Sequence, residues 1–93
     1  MNIKIIQSPL FQKQKKKLYK KQIKILDEEI RKIVENPEIG QEKRGFLKGV
    51  RVHKFHIQKQ LFLLAYELEA DILQLIMIGS HENYYRNLTK YHR

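Results

Sequence analysis

The sequence predicts an α+β domain of order β-α-α-β-β-β-α: a small antiparallel-dominated sheet with two N-terminal helices packed on one face. Three observations carry this reading. Apolar residues recur at helical spacing between Leu10 and Val34. After Gly45 the pattern changes to short apolar runs joined by three-residue polar connections. The 93 residues allow one hydrophobic core and not two, so residues 1–93 are read as a single domain.

The elements follow in order. Ile3-Lys4-Ile5-Ile6 reads as a short first strand. Ser8-Pro9 then opens a helix, serine as N-cap and proline at the first helical position, where its missing N–H costs nothing. Leu10, Phe11, Leu18 and Tyr19 recur about seven apart and give this lysine-rich segment an inward face. Ile23, Leu26, Ile30, Ile33 and Val34 form the apolar stripe of a second helix, stopped at Asn36-Pro37. Near Lys20 to Gln22 neither Gly nor Pro marks a boundary, so a helical hairpin and one bent helix both fit. Residues 37–45 read as a polar loop.

Phe46 to Ile57 is β-like but changes phase. Strict alternation puts Val50 and Val52 on one face, Phe55 and Ile57 on the other, so a bulge or two-sided burial is expected. Leu61 to Leu68 and Ile72 to Ile78 are nearly continuous apolar runs, the pattern of central strands covered on both faces. Gln58-Lys59-Gln60 and Glu69-Ala70-Asp71 are short enough for antiparallel hairpins. Glu82 to Tyr91 reads as a final helix with Tyr84, Tyr85 and Leu88 inward.

Composition narrows the function classes. Hydrophobic content of 42% with five tyrosines and four phenylalanines argues for a packed core despite 31% charged residues. No apolar run approaches the ~20 residues of a membrane span, and the N-terminal apolar stretch is too short for a signal peptide. Cytoplasmic location is the expectation. The formal charge of +9 selects polyanions as partners, nucleic acid or an acidic protein. Cysteine is absent, so thiolate chemistry is excluded.

No phosphate-binding glycine loop, nucleophile elbow or cysteine metal motif is present. His53 and His56, three apart on a strand, fall on opposite faces and make a poor metal pair; no metal or other cofactor is expected. The side-chain inventory fits metal-free RNA cleavage. That reaction needs a base for the ribose 2′-hydroxyl, cations for the phosphorane and an acid for the leaving 5′-oxygen. Arg51-Val52-His53-Lys54-Phe55-His56 and His81-Glu82-Asn83-Tyr84-Tyr85-Arg86 gather suitable groups, with aromatics on which a base can stack.

Leu47-Lys48-Gly49-Val50-Arg51, Leu63-Leu64-Ala65-Tyr66 and Gly79-Ser80-His81 followed by Tyr85 resemble motifs of the RelE/ParE superfamily of toxin–antitoxin toxins. The last is similar to the ending of YafQ-like ribosome-dependent mRNA endonucleases. The resemblance implies His81 as general acid or base and Tyr85 as the residue that stacks on or orients RNA. It implies Arg51 as a phosphate contact, with a structural pair such as Glu67 as the other option. It places a further basic catalytic group at Lys54 or His56. Tyr84, Arg86, His53 and Lys48 complete the expected RNA contacts, although His53 on its own reads as a surface strand residue. A strand-end histidine capping the last helix is the structural alternative for His81, and core packing is that for the tyrosines.

The expected function is thus a type II toxin that cleaves mRNA on the ribosome and is held by an acidic cognate antitoxin. The alternatives are a ParE-like toxin that inhibits DNA gyrase without cutting RNA, and a basic nucleic-acid- or protein-binding module.

Overall fold

The computed structural model describes residues 2–42 and 49–81. Its elements are β1 (Lys4–Gln7), α1 (Pro9–Lys16), α2 (Lys20–Glu35), β2 (Gln41–Glu42), β3 (Arg51–Ile57), β4 (Gln60–Glu69) and β5 (Ile72–Ser80). The five strands form one sheet in the order β1-β5-β4-β3-β2, with β1 parallel to β5 and every other pairing antiparallel. The predicted architecture holds. The expected helix at Glu82 to Tyr91 lies outside the described residues.

Ser8 starts α1 as the sequence predicts. Its Oγ accepts the Phe11 N–H at 3.0 Å and donates to the Ile76 carbonyl at 2.6 Å, so the cap also anchors the helix to β5. Beyond Leu75, β5 has no partner on β1, and Gln14 takes over: its Oε1 accepts the Ile78 N–H at 2.8 Å. A helix side chain thereby closes an edge that would otherwise leave a backbone donor unpaired. These two contacts also fix the direction of α1, which advances along β5 toward His81.

The helices form a hairpin. Lys17 and Leu18 tighten the end of α1 by bonding back to Gln14 and Lys15. Tyr19 is the extended N-cap of α2, its N–H held by the Gln22 side chain at 2.8 Å. Tyr19 was expected on the inward face of the first helix. It is instead 78% exposed, because the chain leaves helical geometry before reaching it.

Leu26, Ile30 and Ile33 of α2 and Phe11 of α1 are buried against Phe55, Ile57, Phe62, Leu64, Tyr66, Leu73, Leu75 and Ile78. The opposite face holds a second buried cluster of Val50, Val52, Leu63, Ala65, Ile76 and Met77, with Leu10 packed against it. Both faces of β4 and β5 are therefore covered, as their unbroken apolar runs predict.

The phase change in β3 resolves as two-sided burial. Its ladder with β4 runs without interruption from Arg51↔Tyr66 to Ile57↔Gln60. The irregularity lies one strand over, where the β4–β5 register shifts between Ala65 and Tyr66. The loop expected over residues 37–45 contains β2, whose Gln41 and Glu42 pair with Val52 and Arg51. Two residues carry no periodicity, so this strand is invisible in the sequence.

Candidate functional site

The pleat of β3 sorts its polar residues. Arg51, His53, Phe55 and Ile57 share the helix-covered face, while Val52, Lys54 and His56 share the other. Lys54 and His56 are exposed. His56 pairs across β4 with Leu61, and the Leu61 carbonyl accepts the His81 N–H at 3.2 Å. His56, Leu61 and His81 thus form one row across three strands, the two histidine backbones roughly 10 Å apart with Leu61 between them. The neighbouring row is Lys54, Leu63 and Gly79, in which glycine contributes no side chain. His81 is exposed, not turned into the core.

A shallow depression of about 350 Å³ adjoins this row, lined by Lys59, Gln60, Leu61, Ser80 and His81. In the sequence Lys59 is only part of a hairpin connection. The β4–β5 register brings that hairpin beside His81, a relation no local signal in the sequence conveys.

Two expected site residues lie elsewhere. His53 is 8% exposed, which corrects its reading as a surface residue. Its Nε2 lies 2.7 Å from Glu29 Oε1, and its ring stacks on Phe55 with centroids 5.6 Å apart. Arg51 also faces the helix side, where its guanidinium donates to the Gly40 carbonyl at 2.8 Å. Glu67 lies across the sheet, so the suggested Arg51–Glu67 pair does not form. Tyr84, Tyr85, Arg86 and Lys48 lie outside the described residues.

Two groups on the helix-covered side are shifted by their surroundings. Burial pushes the Glu29 carboxyl up, but hydrogen bonds from Lys32 and His53 outweigh it and hold the group below its ordinary range. Burial pushes the Tyr66 phenol up against the Gly40 N–H and the nearby Arg51 charge. Tyr66 accepts that N–H at 2.9 Å and donates to the Pro37 carbonyl at 2.6 Å. A Cβ on Gly40 would stand 2.7 Å from the hydroxyl, so only glycine permits this approach. These buried groups are architectural. Among the described residues, no group of three or more His, Asp or Glu side chains is arranged to hold a metal ion.

Residues 5–89 match the family described as ParE-like toxin of type II bacterial toxin-antitoxin system. The chain belongs to this family. Solved structures agree with this ParE-like toxin in fold. E. coli RelE, in the intact RelBE toxin-antitoxin complex, superposes with a TM-score of 0.70 at 17% identity, covering 86% of this chain and 98% of that one. A free double-arginine mutant of E. coli RelE gives 0.73 at 17% identity, covering 98% and 94%. A conserved hypothetical protein from Helicobacter pylori, HP0894, gives 0.50 at 25% identity, covering 85% and 94%. No curated protein matches the sequence significantly. Among the described residues, no helix of the toxin is long and apolar enough to cross a membrane.

Proposed function

We propose that this ParE-like toxin is a ribosome-dependent, metal-independent mRNA endonuclease of the YafQ-like kind, acting in the cytoplasm. The observation that carries the reading is the row in which the exposed His56 and His81 flank Leu61, with exposed Lys54 in the next row. One imidazole, neutral, takes the proton of the ribose 2′-hydroxyl. The 2′-oxygen attacks the adjacent phosphorus, and the phosphorane charge falls to Lys54 and Lys59. The other imidazole, protonated, gives its proton to the departing 5′-oxygen, leaving a 2′,3′-cyclic phosphate and a 5′-hydroxyl. His81 fills one of the two proton-transfer roles, with His56 as its counterpart. Tyr85, with Tyr84, Arg86 and Lys48, supplies stacking and phosphate contacts. Arg51 and His53 support the fold beneath.

The partner that restrains it is an acidic antitoxin, as RelB accompanies RelE in the RelBE complex. Attraction to +9 speeds capture, and burial of apolar surface slows release, so binding weakens with salt without being abolished.

Inducible expression of wild type and His81→Ala, followed by mapping of mRNA ends, tests the reading. New ends in the wild type that vanish in the variant support it. Gyrase inhibition with intact mRNA supports the ParE-like alternative, which needs no exposed imidazole. Harmless expression supports a binding module.

A further inference from the structure

The corner where α1 gives way to α2 holds seven lysines and no acidic residue between Lys13 and Lys24, close to the whole net charge of +9. Six of them, all but Lys15, are exposed. Among the described residues only Lys15 has a carboxylate partner there, Asp27 at 3.5 Å. The lysines of α1 sit in its last turn, where the helix dipole favours cations. Those of α2 have no such explanation. Lys20 and Lys21 occupy its first turn, which lacks any acidic residue, so their charges oppose the dipole. A local preference broken without structural return marks a functional surface.

Tyr19 stands at the centre of this corner, 78% exposed, with its backbone fixed by the Gln22 cap. Two depressions of about 270 and 500 Å³, which share Ile23 in their lining, flank the same two helices. Lys15 and Lys16 line the first with Gln7 and Gln12; Lys20, Lys24 and Arg31 line the second, together with Asp27 and Glu28. Leu18 and Ile23 are half-buried, so Tyr19 is the one large apolar side chain the described corner exposes. A lipid surface or a protein partner would need apolar area to bury. Such area lies elsewhere, at Ile5, Ile6 and Ile72 near the β1 edge.

We propose that the α1–α2 corner is an RNA-docking surface separate from the His56–His81 row, with lysines on phosphates and one unpaired base stacked on Tyr19. An exposed aromatic amid exposed cations is the pairing that single-stranded nucleic acid recognises. Because α1 advances toward the sheet end carrying His81, one strand of RNA can engage both surfaces.

The inference concerns binding and stands apart from cleavage. Its test uses full-length protein carrying His81→Ala, so the probe stays intact, and a labelled single-stranded RNA of about 20 nucleotides titrated over a salt series. Combined Lys16→Gln, Lys17→Gln, Lys20→Gln and Lys21→Gln should lower the slope of log K against log salt by about 3. Tyr19→Ala should weaken binding roughly 5- to 100-fold with the slope unchanged. Thermal midpoints should not fall in either variant, since every substituted side chain is exposed. Unchanged slope and affinity in the lysine variant would overturn the proposal. So would unchanged affinity in Tyr19→Ala, or tighter binding to phosphatidylserine vesicles than to RNA. Loss of RNA binding here alongside normal mRNA cutting by the His81-containing protein would leave the cleavage reading intact, and the reverse result would separate them equally.

Discussion

His53 and Glu29 meet at 2.7 Å between Nε2 and Oε1, joining the middle of α2 to β3 on the helix-covered face. Lys32 holds the other carboxylate oxygen at 2.8 Å, so both oxygens are engaged in a site where neither Glu29 nor His53 is more than 9% exposed.

Replacing His53 by alanine leaves Glu29 Oε1 buried without this donor and should cost about 1–3 kcal/mol. Urea unfolding measures the loss. Because His53 is structural, a His53→Gln protein that folds should cleave mRNA at close to the wild-type rate.

The same pair sets an acid limb. The folded-state value of Glu29 is depressed below 4.5, so its stabilisation is fully present above that pH and is lost as pH falls through the folded value. Urea midpoints should therefore drop on acidification below about pH 4.5, and Glu29→Gln should make that drop shallower.

At the other end of α2, Tyr66 bonds both Gly40 and Pro37. Tyr66→Phe should cost about 1–3 kcal/mol, and Gly40→Ala should destabilise through the clash with the ring. Burial raises the phenol above 10.0, so stability is full below that pH and declines as pH rises toward the folded value. Tyr66→Phe removes that alkaline dependence.

Gln14 bonds the Ile78 N–H on the β5 edge through its side-chain carbonyl. Gln14→Leu should cost about 1–2 kcal/mol in thermal or urea unfolding, whereas Gln14→Glu, which keeps an acceptor, should stay near wild type.

Much of this architecture is legible in the sequence, and what is not has identifiable causes. Ser8-Pro9, the Ile23-to-Val34 stripe and the two apolar runs state their structure locally, because caps and periodicity are local. β2 does not, since a two-residue strand exists only through its ladder with β3. The register shift at Ala65/Tyr66 is hidden because both faces there are apolar, so a change of face leaves no change of polarity. For the site, the pleat separates His53 from His56, yet nothing local says which side the helices cover. The approach of His56 and Lys59 to His81 depends on three-strand register, which one chain does not announce.

Within the proposed row, Lys54→Met should reduce mRNA cleavage on the order of 100-fold, and His56→Ala roughly 10²- to 10⁴-fold, without loss of fold. Circular dichroism and single-turnover cleavage on ribosomes separate the two effects.

The most direct measurement is the chemistry of mRNA ends produced by purified protein in a translating extract, wild type against His81→Ala. The account predicts 2′,3′-cyclic phosphate ends from the wild type and their near disappearance in the variant. Cleavage by His81→Ala at the wild-type rate, or intact mRNA with the wild type, would contradict it.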